Sequence, residues 1–263
     1  MLDKIQNPDG TVGKALAILD IVSSFDSPVR FNRILQESPF PKPSTYRLLQ
    51  TLVSQGMINF NPDSSHYSLG YRLIRLAHLA WQNASLAPIA APFLDALSHK
   101  TGETIHLAKL DSGQVLYLDK RNARSPIPMF SDAGKIGPAY CTGVGKAMLA
   151  FLDQGQRERV IAQQSFFAHT KQTLSTPEAL IGELQFVRIE GIAYDREEHE
   201  TNIVCIAAPV LSKNKQVIGG ISITSSTTRT SLESLGGYKD DIRQTAKSIG
   251  EAADIWMLPK HRG

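Results

Sequence analysis

Cysteine is scarce: only Cys141 and Cys205 stand in 263 residues, and they do not form a C-x-x-C pair. Neither a disulfide framework nor a zinc or dithiol redox centre is therefore written in the chain. Long apolar runs are missing too. Ile-Val-Cys-Ile-Ala-Ala-Pro-Val-Leu at 203–211 falls far short of the ~20 residues of a membrane helix. The segment opening on Met1 has no charged stretch followed by an apolar one, so no secretory leader is expected and the cytoplasm is the expected compartment. Excess charge is small, 28 Lys and Arg against 25 Asp and Glu for a formal +3, and bulk charge alone does not mark a nucleic-acid binder. The 19 Gly and 14 Pro are scattered, which excludes collagen, coiled coil and disorder as the dominant state. What is present is 42% hydrophobic and 20% charged residues, enough for two domains at ~100–200 residues each.

The first 70 residues read as three helices and a hairpin. Ala15, Ile18, Leu19 and Val22 recur at helical spacing over 12–25, and Asp26-Ser27-Pro28 ends that helix. A short second helix, 30–37, carries Phe31, Ile34 and Leu35 and is broken at Ser38-Pro39-Phe40-Pro41. In the third, Pro43 suits the first turn, Thr45, Leu48, Leu49, Leu52 and Val53 share about half the circumference, and Gly56 is the stop. Two short strand candidates, 57–60 and 66–69, flank the turn formers Asn61-Pro62-Asp63-Ser64-Ser65.

Helix, helix, helix, hairpin is the order of a winged helix-turn-helix, whose third helix lies in the DNA major groove. Opposite the leucines the wheel places Pro43, Arg47, Gln50, Thr51 and Ser54, with Lys42, Ser44 and Tyr46 at the start or rim. No acidic residue occurs between Ser38 and Asn61. Arg and Gln read base edges while Lys, Ser, Thr and Tyr commonly contact phosphates. A polar, merely solvated face is the competing reading, against which the missing acids and the hairpin argue. An amphipathic helix over 71–83 and another over 87–100 follow as linker candidates, too apolar for a free tether.

The second half alternates elements. A hairpin is expected from 103–110 and 114–120, helices over 145–152 and 156–163, and a third between Thr176, its N-cap, and Gly191. Strands are expected over 192–194, 203–211 and 216–225, then a helix over 239–256. Mixed order with adjacent hairpins predicts an antiparallel α+β domain. Enzyme signatures fail. The stretch 137–146 ends in Gly145-Lys146 but has Tyr140 and Ala147 where a phosphate loop needs Gly and Ser or Thr. His199-Glu200 lacks the second histidine of a zinc protease, and no G-x-S-x-G elbow occurs. The histidines, His106 among them, are dispersed without ligand spacing, so neither metal nor cofactor is expected.

One strand stands out. In 219–225, Ser222 and Thr224 share one face and Ile221 and Ile223 the other. Buried hydroxyls need partners, which a pocket for a small polar ligand supplies; exposure on an open sheet is the alternative. Cys205 is expected nearby, and Gly143-Val144-Gly145, at a helix start, offers backbone N–H groups to an anion.

Together these residues resemble the IclR (isocitrate lyase regulator) family of bacterial transcription factors. The resemblance runs from about Val12 to Ala253. It rests on Val12-Gly13-Lys14-Ala15-Leu16, Lys42-Pro43-Ser44-Thr45-Tyr46-Arg47-Leu48-Leu49 and Tyr67-Ser68-Leu69-Gly70 in the first half. In the second it rests on Gly143-Val144-Gly145-Lys146-Ala147-Met148-Leu149-Ala150, Gly191-Ile192-Ala193-Tyr194-Asp195 with Glu198, Cys205-Ile206-Ala207-Ala208-Pro209-Val210 and Ile221-Ser222-Ile223. The resemblance implies a winged helix-turn-helix over 1–70, a linker helix over 71–84, and over 85–263 a GAF-like effector-binding domain with a curved antiparallel sheet.

It also implies a repressor of a catabolic operon, a homodimer or dimer of dimers on double-stranded operator DNA, controlled by a small organic acid or related metabolite. Lys42, Ser44, Thr45, Tyr46, Arg47 and Gln50 become the DNA-binding set, the central four by position in the family's reading helix. The effector set is Gly143 and Val144 as backbone donors, Asp195, Cys205, Ser222 and Thr224, with Pro126 and Met129 in an apolar wall. Tyr140 and Thr224 depart from the residues common there, and Asp195 suits an anion only if protonated or bonded to a hydroxyl or aldehyde hydrate. Two other classes stay open: a small-molecule enzyme using Cys141 or Cys205 as nucleophile and Asp195 as acid or base, and a protein-interaction module without salt-dependent DNA affinity.

Overall fold

A computed structural model describes residues 10–84 and 86–257, and the chain divides into two compact units, 1–84 and 85–263. The first runs α1 (Gly10–Ser23), β1 (Val29–Arg30), α2 (Phe31–Glu37), α3 (Lys42–Ser54), β2 (Ile58–Asn61), β3 (His66–Leu69) and α4 (Tyr71–Ala84). Its antiparallel sheet has the order β1-β3-β2, with Val29 opposite Tyr67 and Ile58 opposite Leu69. Ile18, Val22, Ile34, Leu49, Ile58 and Tyr67 form one core. The expected helices and hairpin are present; β1 is additional, because a two-residue strand leaves no period to read. After the hairpin the Gly70 N–H donates to the Met57 carbonyl, and a Cβ there would collide with the Gly56 backbone.

Thr45 corrects the family-based assignment of DNA contacts. It is completely buried and its hydroxyl donates to the Phe40 carbonyl at 3.1 Å and pairs with the Ser38 hydroxyl at 2.8 Å. At ~100° per residue Thr45 falls with Leu48, Leu49 and Leu52 on the inner face of α3. Its work is to fix the α2–α3 turn.

The second unit runs α5 (Ala87–Thr101), β4 (Thr104–Asp111), β5 (Gln114–Arg121), β6 (Ile136–Gly137), α6 (Gly143–Phe151), α7 (Gln154–Ala162), α8 (Pro177–Glu190), β7 (Ala193–Arg196), β8 (Ile203–Leu211), β9 (Val217–Ser226), α9 (Leu232–Gly236) and α10 (Lys239–Met257). The strands form one antiparallel sheet, β6-β5-β4-β9-β8-β7, the α+β arrangement expected from sequence. Bulges at Leu107/Ala108 and Val210/Leu211 add bend to two of its strands.

Strand periodicity divides the sheet's residues between two cores. Ile105, Leu107, Ile206, Ile221 and Ile223 pack with Leu94 and Leu97 of α5 and Ile242 and Ile249 of α10. The alternate residues Ala108 and Ala207 pack with Val144, Met148 and Leu149 of α6 and Leu180, Leu184 and Val187 of α8. At 25 cal/mol per Å2, each fully buried Leu or Ile contributes ~1.5–3 kcal/mol. The α8 boundaries follow sequence chemistry: Thr176 accepts the Ala179 N–H at 3.2 Å, and Gly191 closes the helix at φ 67°.

Candidate functional site

Two places gather the residues singled out by sequence. The first is the start of α3. No side chain caps its N-terminus, Pro43 lies in its first turn and no acidic residue is there, so its free N–H groups favour an anion. Lys42, Tyr46 and Arg47 are exposed and Ser44 and Gln50 half-buried. Tyr46 is held edge-on to Phe31 with ring centroids 5.6 Å apart. The Gln50 side chain meets the Tyr67 phenol, which burial and then Tyr46 push upward. The hairpin beyond is tightened by Asn61 Oδ1, which accepts the Asp63 and Ser64 N–H groups at 2.9 and 3.1 Å.

The second place is a cavity between the sheet and the start of α6. Among the described residues its lining includes Gly143, Val144, Asp195, Cys205, Ser222 and Thr224 from the sequence-based set. Ser222 is 2% and Thr224 5% exposed, so these hydroxyls do not face solvent. Register explains the gathering. Cys205 lies opposite Thr224 and also Asp195, while His106 lies opposite Ser222. A Cβ on Gly143 would strike the Cys205 sulfur, so glycine lets the start of α6 close onto β8; its N–H is directed at that sulfur.

Pro126 and Met129 are corrected. Neither lines the cavity; Pro126 is exposed and Met129 half-exposed, because residues 122–135 have almost no regular structure and give no period that aims a side chain. Sequence reasoning missed His106, Tyr117, Ser131, Thr142, His199 and Glu200 in the lining. His106 was recoverable, since it alternates with Ile105 and Leu107 on β4, but its place opposite Ser222 needs the strand order.

The electrostatics follow from burial. His106 Nε2 and the Ser131 hydroxyl are hydrogen-bonded at 2.9 Å, and Nδ1 faces the hydroxyls of Ser222 and Thr224, each at 3.3 Å. Burial and then Lys120 push this imidazole down to about 3, so it is neutral. Asp195 Oδ1 accepts the Glu198 N–H at 2.8 Å; burial and then the Glu198 charge lift this carboxyl to about 7. Lys146, the lysine of the failed phosphate loop, is completely buried and ion-paired with Glu198, with Glu183 at 3.6 Å. Burial, then Asp195, pushes both cysteine thiols upward, which opposes their use as nucleophiles. No cluster with metal-ligand composition occurs among the described residues.

Residues 11–62 match the IclR helix-turn-helix domain and residues 78–251 the bacterial transcriptional regulator IclR C-terminal domain. The regulator KdgR of Escherichia coli K12 is 32% identical over 248 residues, 94% of each chain. The transcriptional repressor IclR of the same organism is 25% identical over 238 residues, 90% of this chain and 87% of its own. A crystal structure of an IclR homologue from Microbacterium hydrocarbonoxydans, complexed with 4-hydroxybenzoate, superposes with a TM-score of 0.80 at 20% identity, covering 92% of this chain and 98% of its own. The chain therefore belongs to the IclR family of bacterial DNA-binding transcriptional regulators.

Proposed function

We propose that the chain is a cytoplasmic repressor of a catabolic operon that reads double-stranded operator DNA with α3 and releases or grips it according to a small organic acid or related metabolite in the cavity. The observation that carries the DNA reading is the exposed, acid-free start of α3 bearing Lys42, Tyr46 and Arg47. Ser44 and Gln50 complete the set from half-buried positions. Residues 1–70 form the DNA-binding part, 71–84 the linker and 85–263 the effector-binding part. Exposed Tyr71, Ile74 and Leu76 on α4 support a homodimer or dimer of dimers in which the linker helix meets a second copy.

The effector reading rests on six residues of the cavity: Gly143, Val144, Asp195, Cys205, Ser222 and Thr224. A carboxyl that keeps its proton near neutral pH donates to an oxygen anion instead of repelling it, so Asp195 is compatible with an acid ligand. The 4-hydroxybenzoate held by the Microbacterium homologue is of the proposed class. The effector must bind one arrangement of the protein better than another, since equal affinity shifts nothing. The test is operator binding of Arg47→Ala against wild type across a salt series. A weaker complex is expected, by ~1–3 kcal/mol if Arg47 reads a base, or with a salt slope lower by about one if it meets a phosphate. Unchanged affinity and slope would remove α3 as the reading helix.

A further inference from the structure

The cavity is narrow as it stands. Its volume of about 30 Å3 is room for about two ordered water molecules. Three of its polar side chains are also engaged within the chain: His106 Nε2 by Ser131, Nδ1 by Ser222 and Thr224, and these two hydroxyls by each other at 3.3 Å. A ligand oxygen that reaches His106 must therefore displace one of these partners.

Among these partners Ser131 is the one carried by no strand or helix. It belongs to the strap 122–135 between β5 and β6, whereas Ser222 and Thr224 are locked in the sheet between β4 and β8. Its middle is held over the site by side chains from elsewhere in the unit. Lys120, opposite His106 in the register, donates to the Ser131 carbonyl and the Asp132 carboxylate, each at 2.8 Å. The Phe130 N–H donates to the Glu200 carboxylate at 3.0 Å, and Arg229 donates to the Ser125 carbonyl at 2.7 Å. The ends of the strap are tied by backbone bonds, the Arg124 N–H to the Gly102 carbonyl and the Gly134 N–H to the Tyr117 carbonyl, and between them Ser131 is held by these polar contacts and by the packing of Phe130 against His199.

Resting on the effector-binding reading above, we propose that His106 is a specificity-determining residue of that site, that Ser131 occupies its Nε2 when the site is empty, and that a hydroxyl or carbonyl oxygen of the effector takes the Ser131 position. The class of ligand follows from the lining. Asp195 and Glu200 contribute two carboxyl groups and no Lys or Arg is part of the wall. A small molecule with at least one hydroxyl or carbonyl oxygen and no more than one carboxylate fits; a dicarboxylate without a hydroxyl does not. Neutral His106 donates from one ring nitrogen and accepts at the other, so it holds such an oxygen without a charge of its own.

The test uses the full chain and calorimetric titration with glycerate and 4-hydroxybenzoate, with succinate as the unsuitable dicarboxylate. Ser131→Ala removes the internal competitor and should tighten binding of a hydroxylated probe about five- to tenfold, the worth of one net hydrogen bond. His106→Asn keeps a polar atom near Ser222 and Thr224 but loses the one facing Ser131; binding should weaken at least tenfold, and Ser131→Ala should add nothing on that background. If both variants bind like wild type while Asp195→Asn weakens binding, the cavity is the effector site and the role of His106 is overturned. If Asp195→Asn is also without effect on a probe that binds, the cavity reading itself falls. Should no probe bind, or His106→Asn fail to fold, Ser131→Ala decides alone through deuterium exchange at the His106 ring carbon. Exchange about fivefold or more faster, with exposed His99 unchanged, supports the proposal; an unchanged His106 rate overturns it.

Discussion

Replacing Asp195 by Asn should remove one defined slope from the pH dependence of folding. Asp195 is 6% exposed and its Oδ1 accepts the Glu198 N–H; Asn keeps that acceptor and cannot ionise. Burial first, and the Glu198 charge second, raise the folded carboxyl from 3.8 to about 7. Between those values the folded chain holds a proton that the unfolded chain has lost, so the contribution of Asp195 to stability is full below about pH 4 and falls as pH rises to about 7. Each pH unit inside the window is worth ~1.4 kcal/mol. The part between pH 5 and pH 7 is therefore about 2 kcal/mol, since the carboxyl is still half protonated at pH 7, and ~0.4 kcal/mol more is lost by pH 8. Asp195→Asn should gain about 2–3 kcal/mol on wild type from pH 5 to pH 8, read as the difference between urea unfolding free energies at equal m. Titrating groups that do not interact with Asp195 are common to both proteins and cancel. A difference constant to within ~0.5 kcal/mol over that range would refute a buried, protonated Asp195. A change of opposite sign would mean that the carboxylate is held by a cation.

Three further outcomes follow from the same geometry. Lys146→Met strands the buried Glu198, whose Oε2 already lacks a hydrogen-bond partner among the described residues, and should destabilise the second unit by ~3–5 kcal/mol. At ~2–4 °C per kcal/mol this is a calorimetric shift of roughly 6–20 °C, and a shift under ~2 °C would show the pair to be dispensable. Thr45→Val leaves the Phe40 carbonyl without its donor and should lower first-unit stability by ~1–2 kcal/mol, while operator affinity well below melting stays at the wild-type value; a selective loss of DNA binding would return Thr45 to the contact set. Ser222→Leu fills the cavity and should abolish the effector response with operator binding retained, so a persisting response in a gel-shift titration would place the effector elsewhere.

Periodic elements were legible and their meeting points were not. α3, β8 and α10 each carry enough turns or alternations for the apolar pattern to decide their type. β1, β6 and α9 span two to five residues, too short for a period to emerge, and they form only because longer neighbours supply partners. Ser222 and Thr224 announced a polar face by alternation alone, yet His106, on β4 and more than 100 positions earlier, joins them only through the β4–β9 register. Thr45 shows two signals in conflict: helical period turned it inward while family position turned it toward DNA, and packing agrees with the period. Pro126 and Met129 failed for the opposite reason, since an irregular strap offers no period to set against family position.

The small charge excess loses its force as an objection to DNA binding once charge is located. Several acids and bases of the second unit are paired with each other, Lys146 with Glu198 and Glu183, Arg121 with Asp95 and Asp119, Arg229 with Glu103, so three bases there meet five acids and add no positive field. Lys42 and Arg47 stand on an acid-free helix start, where their fields are opposed by no neighbour in sequence. The cavity follows the same rule in a neutral currency. Its hydroxyls and imidazole are already satisfied by the chain, so a ligand is selected by what it restores as much as by what it adds. A compound without an oxygen for His106 would displace Ser131 and leave a buried ring nitrogen unpaired, a loss of ~1–3 kcal/mol that a better apolar fit elsewhere in so small a space has little area to offset.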